Sequence, residues 1–225
     1  MTRYMSKGKC SFCNETFGKA AMTKHLKSCK QKKSAAETIS EKRKLQRTEI
    51  LHLVVEGRDL PEYWMHLSVP ANATLKDLDG FLRDIWLECC GHLSAFTIEG
   101  KRYSIHPMKE YDERSMKGAL GDVVGLGMKF YHEYDFGTTT ELSLRVMSGQ
   151  EREAKGKSIQ LLARNNPPSI ACESCGKIAT QVCTECIWPD KGWLCDKCGR
   201  KHECGEDMLL PVVNSPRVGM CGYTG

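Results

Sequence analysis

The sequence has no run of 18 or more apolar residues, and its first ten residues, MTRYMSKGKC, contain no apolar signal core. These absences argue against a membrane-spanning helix and against a secretory signal peptide. Hydrophobic residues make up 40% and charged residues 27% of the chain, close to globular averages, which argues against disorder throughout. We therefore expect a soluble, cytoplasmic protein.

Sequence motifs of the common enzyme classes are also missing. There is no nucleophile elbow, no phosphate-binding loop and no HExxH stretch, and the GLG at 125–127 is too short to be informative. The polar side chains available to an enzyme are those of His92, His106, Asp112, Glu113, His132 and Asp135. We predict no catalytic residue and no organic cofactor site, and we keep an enzyme with its site in a cleft of the central region as the alternative.

Thirteen cysteines are present, and many of them form CxxC pairs with histidine nearby. Two residues between cysteines let both sulfurs of one tight turn reach a single ion, a spacing that a disulfide framework does not need. A reducing compartment favours free thiolates over disulfides. The pattern therefore predicts zinc, with three ions per chain.

The N-terminal segment KCSFCNETFGKAAMTKHLKSC has the spacing of a zinc finger. Its predicted ligands are Cys10, Cys13, His25 and Cys29. A short hairpin would supply the first two thiolates, and a helix over about 20–27 would place His25 and Cys29 on one face. So small a unit has little core, so the metal is expected to supply on the order of 10 kcal/mol of folding free energy.

The positive charge of the chain is concentrated at this end. The first 49 residues hold 13 of the 33 Lys and Arg residues but 4 of the 28 Asp and Glu residues. Lys19, Lys24 and Lys27 lie on the predicted finger helix, and KQKK and EKRKLQR follow within residues 30–47. Such residues neutralise phosphates, so we predict salt-sensitive contact with nucleic acid. The alternative is a solvated helix followed by a charged linker.

The C-terminal segment CESCGKIATQVCTECIWPDKGWLCDKCGRKHEC supplies eight further ligands. They are Cys172, Cys175, Cys183, Cys186, Cys195, Cys198, His202 and Cys204, enough for two closed tetrahedral sites. The ligands can pair sequentially, or cross so that the first and third CxxC pairs share an ion. The order resembles the B-box zinc finger class, whose sites interleave, and crossing is favoured. Cys221 could replace Cys204.

Two tryptophans, Trp188 and Trp193, flank the loop between the second and third CxxC pairs. We interpret them as cover for the metal sites, because small domains need all their apolar area. The alternative is that they are partly exposed and contact a protein partner. Cys89 and Cys90, at the end of an amphipathic helix, are interpreted as small apolar residues.

The central region predicts an α+β fold with a mainly antiparallel sheet. ILHLVVEG and EYWMHLSV read as strands, and Thr74 can cap a helix with an apolar stripe from Leu75 to Cys89. SAFTIEGKRYSI predicts a hairpin that turns at Glu99-Gly100. A short helix near 115–124, two strands in KFYHEYDFGTTTELSLRV and a last strand in KSIQLLA complete the order β-β-α-β-β-α-β-β-β. Asp135 is expected to order its turn, with Gly137 at positive φ.

Several runs resemble the plasmid pRiA open-reading-frame-three-like family, found on plasmids, in transposons and in many chromosomes. They are LHLVVEGRDLPEYWMHLSVPANATLKDLDGFLRDIWL, HLSAFTIEGKRYSI and KFYHEYDFGTTTEL, within about 48–163. The most specific element is YDFG at Tyr134–Gly137. Many members continue with an acidic residue, an aromatic and a histidine, whereas this chain has Thr138-Thr139-Thr140, so no role of that histidine carries over. The resemblance implies an α+β fold and no established activity.

These observations divide the chain into a zinc finger at 1–30, a basic linker at 31–49, the α+β domain at 50–163, and a B-box-like module with two zinc sites and a tail at 164–225. We predict a non-catalytic adaptor or regulator associated with mobile elements. Its finger would contact nucleic acid, and its C-terminal module would bind an unidentified protein partner. A regulator that binds protein alone is a third possibility.

Overall fold

The computed structural model describes residues 6–32, 34, 46–154, 157–188 and 191–225. Much of the predicted basic linker therefore lies outside the described residues. Among the described residues, no helix has both the length and the apolar character required to cross a bilayer. The chain forms two compact units, residues 1–82 with 93–166, and residues 83–92 with 167–225. We call them the sheet unit and the cysteine-rich unit.

The sheet unit contains ten strands and two α-helices whose bounds are described, and residues 30–32 and 34 are helical as well. The strands are β1 (Lys7–Cys10), β2 (Thr16–Gly18), β3 (Gln46–Gly57), β4 (Trp64–Pro70), β5 (Ser94–Ile98), β6 (Lys101–Ser104), β7 (Arg114–Ser115), β8 (Lys129–Tyr134), β9 (Thr140–Ala154) and β10 (Gln160–Asn165). The helices are α1 (Lys19–Ser28) and α2 (Leu75–Leu82), with 3₁₀ turns at Lys109–Tyr111 and Leu120–Asp122.

All ten strands belong to one sheet, in the order β2-β1-β10-β4-β3-β9-β8-β5-β6-β7. Every neighbouring pair is antiparallel except β6 and β7. The predicted α+β fold with a mainly antiparallel sheet is confirmed. Long β3 and β9 pair along their whole length at the centre, and the alternation of buried Leu51, Leu53 and Val55 turns one face of β3 to the core.

The finger hairpin forms one edge of this sheet. Strand β1 pairs with β10, with Gly8 opposite Asn165 and Cys10 opposite Ala163. A Cβ atom at Gly8 would lie 2.2 Å from the carbonyl oxygen of Arg164, so glycine is needed for this close approach. Helix α1 buries Met22 and Leu26 in a cluster with Trp64 of β4. The finger thus shares its core with the sheet.

The hairpin turn and the helix cap predicted for the central region are present in the structure. Ile98 pairs with Lys101 across Glu99 and Gly100, whose φ values of 48° and 74° are those of a type I′ turn. Thr74 caps α2, because its Oγ1 accepts a hydrogen bond from the N–H of Asp77 at 3.1 Å and the Asp77 carboxylate accepts one from the N–H of Thr74 at 2.8 Å.

Three local predictions were wrong. The second predicted helix is reduced to the single 3₁₀ turn Leu120–Asp122, and Arg114–Ser115 forms a strand. The first helix does not run regularly to Cys89, because α2 gives way to a π-helical turn at Arg83–Leu87. In the YDFG turn, the positive φ of 64° belongs to Asp135 and not to Gly137.

Two side-chain contacts in the sheet unit involve buried histidines. His132 of β8 is fully buried, and its Nε2 lies 2.7 Å from Oδ1 of the buried Asp79 of α2. His52 of β3 and His66 of β4 are buried neighbours, with Nε2 of the first 2.9 Å from Nδ1 of the second. Each contact engages one nitrogen of each ring, whereas Nε2 of His66 and Nδ1 of His132 have no hydrogen-bond partner among the described residues. The three histidines therefore belong to the buried part of the sheet unit.

The cysteine-rich unit is built from short elements. They are the π-helical turn Arg83–Leu87, the strands β11 (Gln181–Cys183), β12 (Trp193–Leu194) and β13 (Leu209–Pro211), the helix α3 (Asp196–Gly199) and a 3₁₀ turn at Glu206–Met208. The strands form a small sheet in the order β12-β11-β13. Its described buried apolar side chains other than cysteine are Trp86, Leu87, Ala179, Val182, Leu194, Val218 and Tyr223. This core is small for its chain length.

Candidate metal centres

Four groups of cysteine and histidine side chains converge in the described part of the chain. We name them the finger cluster (Cys10, Cys13, His25, Cys29), the four-cysteine cluster (Cys172, Cys175, Cys195, Cys198), the mixed cluster (Cys183, Cys186, His202, Cys204) and the tail cluster (Cys89, Cys90, His92, Cys221). Within each cluster the ligand atoms lie within 4.8 Å of one another. Together they use all thirteen cysteines of the sequence. Each cluster could therefore hold one metal ion.

The finger cluster takes its ligands from the hairpin and from α1. Cys10 ends β1, Cys13 lies in the turn that follows, and His25 and Cys29 come from the last turn of α1 and the residue after it. The Sγ of Cys13 lies 3.3 Å from Nε2 of His25, whose ring stacks on Phe17 at a centroid distance of 4.4 Å. The backbone N–H of Cys29 donates to the carbonyl oxygen of His25, which fixes both ligands relative to the helix.

Backbone N–H groups lower the pKa of the first cysteine of each CxxC pair. Burial by itself raises the pKa of Cys10, but the N–H groups of Cys13 and Phe12 outweigh it, and the pKa is lowered. Cys172 shows the same balance: burial raises its pKa, but three backbone N–H groups and the thiol of Cys175 lower it to about 6. The N–H of Cys198 lowers the pKa of Cys195. Thiolates are the form that binds metal, so these turns favour a bound cation.

The C-terminal ligands follow the crossed arrangement. Cys175 of the first CxxC pair lies 3.6 Å, sulfur to sulfur, from Cys195 of the third. Cys186 of the second pair lies 3.7 Å from the Sγ of Cys204 and 3.5 Å from Nε2 of His202. A tetrahedral ion with bonds of about 2.3 Å to sulfur holds its ligands about 3.8 Å apart. The observed separations agree with that geometry.

A glycine makes room for the mixed cluster. Gly192 has a φ of 81°, and a Cβ atom there would lie 2.8 Å from Cβ of Cys186 and 3.1 Å from Cβ of Cys183. Its carbonyl accepts a hydrogen bond from the N–H of Cys183, and its own N–H donates to the Glu173 carboxylate at 2.8 Å. Both the backbone conformation and the close approach require glycine at this position.

The tail cluster was missed in the sequence. Cys221 does not replace Cys204, since Cys204 lies in the mixed cluster and Cys221 lies with His92. The interpretation of Cys89 and Cys90 as small apolar residues was also wrong, because Cys90 is exposed and both belong to this cluster. The run CCGH at residues 89–92 was the available sequence signal for a metal site. Its partner Cys221, however, lies 131 residues beyond Cys90 along the chain.

Each cluster offers four protein ligands. Zinc sites with four protein ligands are structural, because they leave no coordination position for water or substrate. Cysteine-rich sets with one histidine or none are the ligand sets of structural zinc. The chemistry available here is therefore cross-linking of chain segments through a metal.

A positively charged cleft lies beside the finger helix. Its volume is about 60 Å³, and it is lined by Leu26, Lys27, Lys32, Ile50, Leu51, His52, Ser68, Ser148, Gln150, Arg152 and Leu162. No Asp or Glu occurs among these described lining residues. Burial and the nearby Arg152 charge lower the pKa of Lys32. Burial, together with the charges of Lys32 and Lys27, lowers the pKa of His52 to about 4. An anion in this cleft would relieve that repulsion.

The three lysines predicted to contact nucleic acid have different surroundings. Lys24 and Lys27 are exposed on α1. Lys19 instead forms an ion pair with Glu56 of β3, and burial lowers its pKa. Of the basic stretch 30–47, residues 33 and 35–45 lie outside the described residues. Of these three lysines, Lys24 and Lys27 are thus the two that remain accessible to a phosphate.

The two tryptophans do not share one environment. Trp188 is 63% exposed, whereas Trp193 is half-buried on β12, opposite Val182 of β11. The interpretation of both as cover for the metal sites was therefore wrong for Trp188. An exposed tryptophan is a large apolar surface of the kind that protein interfaces use.

The polar residues considered for catalysis make structural contacts. The Oδ1 of Asp135 accepts hydrogen bonds from the N–H groups of Gly137 and Thr138, as expected for a turn-ordering aspartate. The Glu113 carboxylate accepts hydrogen bonds from Ser104 and from the N–H of Met108, while Arg102 pairs with it at 3.2 Å. His106 and Asp112 lie on the surface. Turn and loop structure accounts for these carboxylates.

Comparison with known proteins gives one family. A family model described as plasmid pRiA4b ORF-3-like protein matches residues 50–181. No curated protein matches the sequence. Among solved structures, the crystal structure of a protein of unknown function from Methanosarcina mazei Go1 is 19% identical, with a TM-score of 0.46 over 59% of this chain and 76% of that one.

Proposed function

We propose a role for this chain, which belongs to the plasmid pRiA4b ORF-3-like family: a zinc-stabilised, non-catalytic adaptor that contacts nucleic acid beside its finger and a protein partner through its cysteine-rich unit. The observation that carries the proposal is the set of complete four-ligand clusters. Metal sites of this kind hold recognition surfaces in shape and do not perform chemistry.

Zinc is the metal that the ligand sets favour. Thiolates are soft ligands, and a mixture of thiolates with one imidazole suits zinc better than magnesium, calcium or manganese. The three clusters that contain a CxxC pair match the three predicted zinc ions. Each joins segments that are distant in sequence, so zinc binding would restrict the unfolded chain and stabilise the fold.

Nucleic-acid contact is supported by the basic cleft. Three cationic side chains, Lys27, Lys32 and Arg152, converge there without a neutralising carboxylate among the described lining residues. Its small volume suits a phosphate group and is far below the range of about 300–1,000 Å³ usual for small-molecule sites. Exposed Lys24 extends the basic surface along α1. Contacts of this kind read the phosphate backbone and carry little sequence information.

We expect the full, zinc-loaded chain to bind a short labelled duplex at low salt, measured by fluorescence anisotropy across a salt titration. The double variant Lys27→Gln/Arg152→Gln removes two cationic groups from the cleft. Its plot of log K against log salt concentration should be shallower by about 1.8, or by about 1.4 with a single strand.

The matched control is Lys101→Gln/Lys117→Gln, which removes the same charge from exposed positions away from the cleft. This control should keep the wild-type slope within error. Absence of binding by the wild type at low salt, or an equal loss of slope in both double variants, would contradict the nucleic-acid part of the proposal.

The protein-partner part rests on Trp188. The cysteine-rich unit buries few apolar side chains, yet Trp188 is 63% exposed. Its ring is therefore available to the surface of a partner. Aromatic side chains at the centre of an interface often contribute 2 kcal/mol or more to binding. The proposed partner would therefore lose at least about thirtyfold in affinity without this ring.

The variant Trp188→Ala is expected to retain its bound zinc and to lose one specific partner in quantitative affinity capture from the native cell. Ile178, a second exposed apolar residue of the same unit, gives the control variant Ile178→Ala. A partner that binds wild type and both variants equally, or no enriched partner at all, would reject this part of the proposal while leaving the zinc part untouched.

A further inference from the structure

We propose that the tail cluster is a fourth zinc site, one that fastens the C-terminal tail to the turn after the π-helix and exchanges its metal with solvent. Three thiols and one imidazole converge there without a CxxC motif. The Sγ of Cys90 lies 2.9 Å from Nε2 of His92 and 3.6 Å from the Sγ of Cys221, and His92 Nε2 lies 3.2 Å from that same sulfur. Cys89 completes the set, 3.6 Å from Cys90.

The turn that carries three of the ligands is held by hydrogen bonds outside the cluster. The guanidinium of Arg83 donates to the carbonyl oxygen of His92 at 2.6 Å and pairs with Glu88 at 2.7 Å. The Glu88 carboxylate in turn accepts a hydrogen bond from the N–H of Gly91 at 2.5 Å. Such supporting contacts orient metal ligands before the ion arrives, and they raise affinity by limiting the ordering that binding requires.

Hydrogen bonds also hold the segment 215–217, which precedes Cys221 in the tail. The hydroxyl of Ser215 donates to the carbonyl oxygen of Trp86 at 2.6 Å and accepts the N–H of Arg217 at 2.9 Å. Arg217 is fully buried, and its guanidinium lies 3.4 Å from the Sγ of Cys89. A zinc ion with three thiolates carries one net negative charge, so a buried arginine beside one of those sulfurs is the charge that such a site needs.

A disulfide would explain less of this geometry. Cys90 lies equally far, 3.6 Å, from the sulfurs of Cys89 and Cys221, so no single pairing is favoured. A disulfide would also use only two of the four groups that converge here. A tetrahedral ion uses all four groups at once.

The tail cluster is more open on its ligand side than the finger cluster. Cys90 and Cys221 are both exposed, whereas Cys10 and Cys29 of the finger cluster are buried. A chelator can therefore approach the tail ligands directly, and we expect the fourth ion to leave before the finger ion. This inference does not rest on nucleic-acid or partner binding.

Native mass spectrometry of the full chain, purified under reducing conditions, tests the site. The wild type is expected to carry four zinc ions, and Cys221→Ser three. Cys221→His, which restores a ligand, should return the count to four. His106→Ala, a change at an exposed histidine outside every cluster, should keep four.

Release kinetics test the exchange. With a chromogenic zinc chelator such as 4-(2-pyridylazo)resorcinol, the fast phase of zinc release should be larger by one equivalent in the wild type than in Cys221→Ser. Three zinc ions in the wild type, four in a folded Cys221→Ser, or a disulfide joining Cys90 to a neighbour in the reduced preparation would overturn the fourth site. A fast phase of equal size in the wild type and in Cys221→Ser would overturn the proposed exchange of this ion.

Discussion

Stripping the metal from the protein should unfold the cysteine-rich unit while the central strands of the sheet unit keep their structure. A strong chelator under reducing conditions removes ions that each contribute on the order of 10 kcal/mol to folding. The described core of the cysteine-rich unit holds few apolar side chains, so nothing of comparable size replaces them. Hydrogen exchange followed by mass spectrometry should show protection lost across 167–225.

The internal control is the pair β3 and β9, which forms the centre of the large sheet and is packed by Leu53, Val55 and Leu144. Amides of these strands should stay protected after chelation, because hydrophobic burial alone stabilises them. Re-addition of zinc should restore protection in the cysteine-rich unit. Unchanged exchange in 167–225 after complete metal removal would mean that the metal does not hold this unit together.

Asp79→Ala is expected to lower the free energy of unfolding by about 3–5 kcal/mol. The change removes the buried partner of the His132 ring and leaves space beside it. Asp79→Asn, which keeps the size and one hydrogen-bonding oxygen, should cost less. Urea unfolding of the zinc-loaded variants gives both values.

Asp59→Ala serves as the control, because Asp59 is an exposed aspartate of the same unit and should change stability by about 0.5 kcal/mol or less. A loss below about 1 kcal/mol in Asp79→Ala would mean that the His132–Asp79 contact is not structural.

The sequence predicted the fold where the signals were local. The Thr74 cap, the Glu99-Gly100 turn and the alternating strands follow from contacts within a few residues, and the structure confirms them. The resemblance to the plasmid family is also confirmed. The helix near 115–124 failed because its pattern is too short to resist local hydrogen bonding to other segments, such as the N–H of Leu120 to the carbonyl of Ala73.

The metal-ligand clusters were likewise predictable only where their signal was local in the sequence. CxxC pairs, and the histidine and cysteine that follow them, are recognised by their spacing. Twelve ligand residues could therefore be named from the sequence. The tail cluster has no such spacing, because Cys221 meets Cys90 across 131 residues. In addition, Cys89 and Cys90 follow a π-helical turn that periodicity does not predict. The edge pairing of β1 with β10 was equally hidden, because strand order depends on contacts distant in sequence.

The metal content of the purified, reduced full chain tests the central claim most directly. Four zinc ions per chain are expected from the four clusters, and after cadmium exchange ¹¹³Cd NMR should show one resonance of a four-sulfur site and three of sites with three sulfurs and one nitrogen. A content of three zinc ions per chain would contradict only the proposed zinc site at the tail cluster. A content near zero, with the fold intact, would contradict the whole account.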